Sequence, residues 1–308
     1  MPEKRCQLCY DHPMKPSRSR FLNVRGLSCH LREWGDEGAP KLFLLHGWMD
    51  VSASFQFVVD ALPGNWHVIA PDWRGFGLSG RCGDAYWFPD YLGDLDAILE
   101  YCQPDEPVRL AGHSMGGNVA LMYAGIRPQR VARVAALDAF GLVDRPASDA
   151  PGRYEKWLGE LRAPVAFRPY RDLDGLAARL CRENPRLDPE RARWLAQHLG
   201  EDDGCGGVTV AGDPAHRRIN PVLYRRAEAE ACWRRVLSPV LWVEPEDQSL
   251  RQRIGVDDAQ YEQAMACFRD LHLERIADAG HNLHHDQPER LAICLSSFMM
   301  ASDREEMS

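Results

Sequence analysis

The residue that most clearly suggests chemistry is Ser114, which lies between Gly112 and Gly116 in a Gly-x-Ser-x-Gly pattern. A short apolar run at 107–109 precedes the pattern, and a segment with helical character follows at 118–124. This order of strand, tight turn and helix holds a serine on a strained turn, because the glycines let strand and helix approach closely. A free serine hydroxyl is a weak nucleophile. The chain must therefore also supply a base, an acid that orients the base, and donors for an oxyanion.

The predicted base is His281, which follows Gly280 just after a strand predicted at 271–276. A histidine at that point lies at the same sheet edge as the serine, since the carboxyl ends of parallel strands meet there. The alternative is a histidine on a surface loop, but the upstream serine and the position after a strand favour the base. His284 and His285 come at the start of the next helix, and we expect them to lie beside the site or in solvent.

The predicted oxyanion donors are two backbone amides. Trp48 follows His46 and Gly47 after the first buried strand, and Met115 opens the helix that follows the serine. The N–H groups of Trp48 and Met115 are expected to converge on the oxyanion, helped by the positive end of the helix dipole. The side chain of Trp48 has a second possible role, as a wall of the acyl pocket.

The elements that position these residues alternate along the chain. Apolar runs at 41–46, 66–72 and 131–138 read as buried strands, and helical patterns lie between them. The alternation predicts an α/β fold with a mostly parallel sheet covered by helices on both faces. It stops at about residue 141 and resumes at about 238. The predicted divisions are a flexible N-terminal tail at 1–18, a core at 19–140 and 238–302, an inserted helical cap at 141–237, and a C-terminal tail at 303–308.

The predicted cap is helical, with Asp188 as an N-cap and Pro189 at the first position of one of its helices. No strand is predicted within it. Its aromatic residues are expected mostly to form the cap's own small core, with some lining a pocket beneath it. These residues are Trp157, Phe167, Tyr170, Trp194, Tyr224 and Trp233.

Several of these stretches resemble the α/β-hydrolase superfamily over about residues 21 to 302. The stretches are His46–Asp50, Asp72–Ser79, Gly112–Gly117 and Gly280–His284. The first of them, with Ser54 and Phe55, is similar to serine hydrolase-like proteins and related bacterial hydrolases. The resemblance implies an α/β-hydrolase fold and a hydrolase that needs no cofactor. Epoxide hydrolases and haloalkane dehalogenases of this superfamily use an aspartate nucleophile, so Ser114 argues against both.

The acid of the triad is the one member for which the sequence offers several candidates. The resemblance places a Gly-x-x-Asp pattern after the strand at 239–243, but Pro245 occupies the glycine position and Gln248 the acid position. Asp138, at the end of the preceding core strand, can reach the histidine from a neighbouring strand end, as in dehalogenases. Asp138 is therefore the first choice, although an aspartate there can also bond loop amides. The alternatives are Asp247, then Glu244 or Glu246.

Composition narrows the function and the location. The 308 residues carry a net charge of −8, which disfavours nucleic acid and anionic membrane surfaces as partners. No apolar run approaches the roughly 20 residues of a membrane span, and no secretory signal is recognisable. We therefore expect a cytoplasmic protein whose scattered cysteines are reduced thiols. Cys6 and Cys9, with His12, are interpreted as part of the tail rather than as a zinc site, and Met14 is an alternative start.

These observations predict a cofactor-independent serine hydrolase of a small or medium carboxylic ester, with the triad Ser114, His281 and Asp138. The expected partner is a small-molecule acyl substrate, with no metal, and neither the substrate's identity nor an oligomeric state is specified. One alternative is a C–C bond hydrolase with the same triad, with Arg217 or Arg218 holding a carboxylate. Another is a non-catalytic, ligand-binding homologue whose triad residues are misaligned.

Overall fold

A large central sheet organises residues 14–301, which are the residues that the computed structural model describes. Within them the sheet has eight strands in the order β1-β2-β4-β3-β5-β6-β9-β10. β2 runs antiparallel to both of its neighbours, and the pairs from β4 to β10 are parallel. The strands are β1 Ser17–Val24, β2 Leu27–Trp34, β3 Lys41–Leu45, β4 His67–Pro71, β5 Val108–His113, β6 Val131–Leu137, β9 Val240–Pro245 and β10 Leu271–Ile276, with β7 Gly200–Asp202 and β8 Val208–Val210 forming a separate hairpin.

Helices cover both faces of the sheet. The helices are α1 Gln56–Ala61, α2 Phe88–Cys102, α3 Met115–Ile126, α4 Ala150–Glu160, α5 Leu173–Glu183, α6 Pro189–Leu199, α7 Arg226–Trp233, α8 Ser249–Arg253, α9 Asp258–Met265, α10 Leu283–Asp286 and α11 Pro288–Met300. The predicted mostly parallel sheet flanked by helices is thus confirmed. Short 3-10 helices lie at Ser52–Phe55, Pro128–Arg130, Ala147–Asp149 and Pro214–Arg217.

The continuous apolar run of β3 reflects burial on both faces. Phe43 and Leu45 lie in a core cluster that includes residues of α2, α3 and α9, whereas Leu42 and Leu44 lie in a second cluster with residues of α1 and α11. Alternate side chains of a strand point to opposite faces, so a strand covered on both sides needs apolar residues at every position. The helices in turn hold the strand ends, and the loops that follow them, in fixed positions.

The start of the folded chain differs from the expectation. β1 begins at Ser17, two residues inside the segment predicted as a tail. Lys15 is anchored as well, because its backbone N–H donates to Asp60 and its ammonium group donates to the carbonyls of Val59 and Leu62. Sequence polarity at 14–18 therefore marks a solvated edge strand and its lead-in. The predictions for Cys6, Cys9 and the tail at 303–308 lie outside the described residues.

Between β6 and β9 the chain forms α4 to α7 and the hairpin β7-β8. The expectation of no strands in this segment is wrong for the hairpin, whose strands are three residues long and therefore carry almost no alternation signal. Leu195, Leu199 and other apolar residues of α5 and α6 pack on Val51 and Phe57, which ties this segment to the loop after β3.

Trp233 departs from its expected place in the cap. It is 1% exposed and lies in the main core with Phe140 and Trp242, because α7 packs directly against α3. The approach is close: a Cβ on Gly125 of α3 would lie 1.9 Å from the carbonyl oxygen of Cys232. The predicted boundary at residue 237 therefore assigns to the cap a helix that packs with the core.

None of the helices within residues 14–301 is both long enough and apolar enough to cross a membrane.

Candidate active site

Ser114 occupies the turn between β5 and α3 in a strained conformation. Its φ is 50° and its ψ is −114°, a combination that residues with side chains rarely adopt. The flanking glycines are required by contact: a Cβ on Gly112 would lie 2.3 Å from the carbonyl carbon of Gly116, and one on Gly116 would lie 2.1 Å from the carbonyl oxygen of Leu45. Real Cβ atoms do not approach so closely. The glycines thus allow the turn that presents the serine at the sheet edge.

His281 and Asp138 both lie next to this serine in a continuous chain of contacts. The Nε2 atom of His281 is 3.1 Å from Oγ of Ser114, and its Nδ1 atom is 2.6 Å from Oδ2 of Asp138. A carboxylate only accepts, so Nδ1 carries the proton and donates to Asp138, which leaves Nε2 free to accept from the serine hydroxyl. This is the geometry in which an imidazole can take a proton from a nucleophile.

The position of Asp138 follows from the turn after β6. Its φ is 46°, and its backbone N–H donates to the carbonyl of Val243 on the adjacent strand β9 at 2.7 Å. Aspartate tolerates this left-handed conformation better than most residues. The side chain is 7% exposed and contacts His281 in the loop that follows β10. Burial among fixed partners suits a residue that orients an imidazole.

The other acid candidates are not brought to His281. Asp247 accepts from the backbone N–H of Ser249 at the start of α8 and lies 3.7 Å from Arg186. Glu244 accepts from Arg275 at 2.9 Å and from Tyr261 at 3.1 Å, and Glu246 is exposed. Gln248, at the position where the resemblance expects the acid, donates to Glu244 instead. The geometry therefore favours Asp138 among the four acids.

His113 is a residue of the site that the sequence analysis did not single out. Its Nε2 atom lies 2.7 Å from the backbone carbonyl of His281, and this contact requires the proton to be on Nε2. Burial, followed by the charges of His284 and His281, holds the pKa of His113 well below its ordinary value, so the ring stays neutral. His113 thus fastens the loop that carries His281. Its position directly before Ser114 was the available signal.

His284 is fully buried and His285 is 7% exposed, which corrects the part of the expectation that allowed them to be in solvent. His284 lies 3.5 Å from the carboxylate of Asp50, and its ring packs against His113 with 4.3 Å between centroids. Asp50 also accepts from the hydroxyl of Ser54 at 2.8 Å. The cluster ties the loop after β3 to the segment that follows His281.

The same cluster is where a metal ion has the best set of donors in the described chain. One donor atom each from Asp50, His113 and His284 lies within 4.8 Å of the other two. A carboxylate and two imidazoles suit a first-row transition metal. The chemistry of the neighbouring serine and histidine requires no ion there, because proton transfer and charge stabilisation are available from the side chains and amides already described.

The loop expected to supply oxyanion donors lies against Ser114. A Cβ on Gly47 would be 3.3 Å from Cβ of Ser114, so the backbone leading to Trp48 passes directly beside the serine. Met115 is the first residue of α3, where backbone N–H groups have no partner within the helix. The indole of Trp48 is 54% exposed and borders the cavities on both sides of Ser114. The side chain of Trp48 can therefore line the acyl pocket while its backbone N–H donates to the oxyanion.

Comparison with known proteins identifies the family. Residues 40–288 match the family model described as alpha/beta hydrolase fold, and the chain belongs to that family. A serine hydrolase-like protein of Danio rerio is 37% identical over 118 residues, which are 38% of this chain and 36% of that protein. The match thus spans about a third of that relative.

Other relatives match over most of their length. A 2-(acetamidomethylene)succinate hydrolase of Mesorhizobium japonicum is 25% identical over 92% of this chain and 95% of its own. A 3-hydroxybutyrate-oligomer hydrolase of Cupriavidus necator is 28% identical over 86% of this chain and 91% of its own. Among solved structures, a thioesterase domain from the curacin biosynthetic pathway has a TM-score of 0.82 at 23% identity, covering 92% of this chain and 99% of that domain. That likeness shows the fold.

Proposed function

We propose that this protein is a serine hydrolase of carboxylic esters, with Ser114 as nucleophile, His281 as general base and Asp138 as the acid that orients it. The observation that carries the proposal is the unbroken contact from Ser114 Oγ to His281 Nε2 at 3.1 Å and from His281 Nδ1 to Asp138 at 2.6 Å. The full-length bacterial relatives named as hydrolases support the reaction class.

The geometry suggests the following sequence of steps. Ser114 Oγ attacks the ester carbonyl carbon while its proton passes to Nε2 of His281, and the amides of Trp48 and Met115 bind the oxyanion. The bond to the alcohol oxygen breaks, and His281 returns the proton to that oxygen. Water then attacks the acyl-serine, giving a proton to His281, and the acid leaves as Ser114 recovers its proton. Asp138 keeps its charge throughout and stabilises the imidazolium.

The segment at 141–237 is proposed to act mainly as a cap that limits access of water and substrate. Phe167 and Tyr170 border one cavity at Ser114, and Trp157 borders the other. Closing an active site in this way strengthens the electrostatic interactions within it.

The C–C bond hydrolase alternative has less support from the residues considered for it. Arg217 donates to the backbone carbonyl of Ala166, and Arg218 donates to that of Asp84, each at 2.9 Å. Each guanidinium is thus held by a backbone carbonyl, and that of Arg218 also lies 3.7 Å from the carboxylate of Asp84. The non-catalytic alternative rests on a misaligned triad, and the two short contacts of His281 argue against misalignment.

Hydrolysis of para-nitrophenyl butyrate by the purified protein tests the proposal. We expect turnover by the wild type and loss of activity by three orders of magnitude or more, roughly, for Ser114→Ala. The control variant is Ser297→Ala, an exposed serine of α11 that borders neither cavity, and it should hydrolyse the ester at the wild-type rate. A Ser114→Ala protein as active as the wild type would refute the role of this serine.

A further inference from the structure

Two cavities of similar size meet at Ser114. One has a volume of about 640 Å³ and the other about 670 Å³. Both are bordered by Trp48, Ser114, Arg253 and His281. A bond cleaved at Ser114 therefore has one cavity for each of the two fragments that it joins.

The larger cavity is apolar and aromatic. Its walls include Tyr86, Trp87, Phe88, Tyr91, Trp157 and Leu250. Among the charges that border only this cavity, Asp138 faces His281 and Arg218 lies 3.7 Å from the carboxylate of Asp84. Arg253 is shared with the other cavity. The aromatic walls favour an alkyl or aromatic group, because burying apolar area is favourable there.

The smaller cavity is cationic. It is lined by Arg168, Arg179, Arg217 and Arg253, against the acids Asp50 and Glu183. Both acids are occupied: Glu183 accepts from Arg179 at 2.7 Å, and Asp50 accepts from Ser54 and faces His284.

Three of the four arginines keep an uncompensated charge. Within residues 14–301, no acidic side chain lies within ion-pair distance of Arg168, Arg217 or Arg253, and Arg217 donates only to the backbone carbonyl of Ala166. This excess of positive charge is local, because the chain as a whole carries a net charge of −8. A cavity with excess positive charge and protein walls concentrates anions.

Arg253 reaches this place because of the segment where the chain departs from its superfamily. Pro245, at the end of β9, and Gln248, in the turn that follows, occupy the positions where the resemblance expects a glycine and an acid. Gln248, with a φ of 47°, leads into α8. Leu250 and Arg253 of α8 then border the cavities. With Asp138 next to His281, this turn has no need to supply the acid, and it supplies a cation to the substrate site instead.

We infer that the substrate is an ester with one apolar fragment and one fragment that carries a carboxylate, and that Arg253 binds this carboxylate with help from Arg168. The inference rests on the proposed ester hydrolysis. A guanidinium matches a carboxylate through two parallel hydrogen bonds, and the planar group holds the partner in a defined orientation. The apolar fragment then occupies the aromatic cavity, and the scissile carbonyl lies between the two at Ser114.

Two matched pairs of esters test the inference. Para-nitrophenyl butyrate and mono-para-nitrophenyl glutarate differ by a carboxylate on the acyl chain. Propyl butyrate and the butyrate ester of γ-hydroxybutyrate differ by a carboxylate on the alcohol. In at least one pair we expect kcat/KM to be about tenfold or more higher for the carboxylate ester at low salt, and the preference to shrink as salt is added.

The variant Arg253→Met should lower kcat/KM for the preferred carboxylate ester about tenfold more than for its neutral partner. The control is Arg182→Met, an exposed arginine of α5 that borders neither cavity, and it should leave the preference unchanged. Equal or higher kcat/KM for the neutral member of both pairs, or a preference that survives Arg253→Met in full, would overturn the inference while ester hydrolysis itself stands. Failure of the folded wild type to hydrolyse any of the four esters would instead remove the proposed function, and the inference with it.

Discussion

The carboxylate of Asp138 lies 2.6 Å from Nδ1 of His281, although the two residues are 143 positions apart and follow different strands. The contact is possible because β6 and β10 both pair with β9, so the turns after these strands meet at one edge of the sheet. Asp138 is thus one strand removed from the turn where the resemblance to the superfamily places the acid.

Substitution of Asp138 and of Asp247 should show which of the two residues is the acid of the triad. Asp138→Asn is expected to lower kcat by roughly three to four orders of magnitude, because the amide cannot stabilise the imidazolium and can favour the wrong tautomer. Asp247→Asn should change kcat by less than about threefold, since this exposed side chain contacts the backbone N–H of Ser249 and not His281. Steady-state kinetics on one ester measures both, and comparable losses in the two variants would contradict the assignment.

Two glycine substitutions test the packing of the core against the helix that follows the serine. Gly125→Ala should lower the free energy of unfolding by about 1–3 kcal/mol or more, because its Cβ would meet the Cys232 carbonyl oxygen at 1.9 Å. Gly159→Ala, in α4 with no atom within 4 Å of the added Cβ, should raise that free energy by up to about 1 kcal/mol. Urea unfolding measures both. Equal effects of the two changes would contradict the close approach of α3 and α7.

The cluster of Asp50 and His284 is expected to stabilise the fold around the site. Asp50→Asn should lower the free energy of unfolding by about 1–3 kcal/mol, because a largely buried carboxylate that accepts from Val51 and Ser54 loses its charge beside a buried imidazole. The matched control Asp105→Asn alters an exposed residue and should have almost no effect. Unfolding in urea compares them, and an Asp50→Asn protein as stable as the control would speak against the cluster.

His216 should make the fold sensitive to mild acid. Its ring is stacked between Phe76 and Tyr86, with centroids at 3.9 and 3.7 Å, and burial lowers its pKa to about 4. In the unfolded chain the imidazole of His216 binds a proton near pH 6.5. Between pH 6.5 and about 4 the unfolded chain therefore binds more protons than the folded protein. The stabilisation from the neutral ring is therefore complete above about pH 6.5 and is lost as the pH falls towards 4, by about 3 kcal/mol in all.

The variant His216→Phe keeps an aromatic ring in the stack and removes the titration. Its free energy of unfolding should fall less steeply than that of the wild type between pH 6.5 and 4. The difference in slope should correspond to the uptake of up to one proton fewer on unfolding. Urea unfolding at several pH values measures this difference. Parallel pH profiles for the two proteins would show that the ring is not held neutral in the fold.

The sequence was sufficient to predict the sheet and the placement of the serine and histidine. Ser114 stands in a pattern that only a strand-turn-helix unit explains, and β10 has the bounds that its residues predict. The acid was harder, because Asp138 and Asp247 both follow strands at the same sheet edge and only the three-dimensional turns decide which one faces His281. The φ of 46° at Asp138 leaves no mark in the sequence.

Short strands, helix packing and buried polar contacts also could not be predicted from the sequence. The three-residue strands β7 and β8 pair through a few backbone hydrogen bonds, which local residue patterns do not specify. The local sequence does not distinguish Trp233 from other aromatic residues in helices. Its burial in the main core depends on the packing of α7 against α3. The link from His113 to the carbonyl of His281 joins residues 168 positions apart, so it becomes visible only in the fold.

The most direct test of the account is labelling of the purified protein with a serine-directed fluorophosphonate, followed by intact mass and peptide mapping. The account predicts one adduct on Ser114 in the wild type, none in Ser114→Ala, strongly slowed labelling in Asp138→Asn, and wild-type labelling in Asp247→Asn. A folded wild-type protein that takes up no label, or a Ser114→Ala protein that is labelled as fast as the wild type, would contradict the claim that Ser114 is the activated nucleophile.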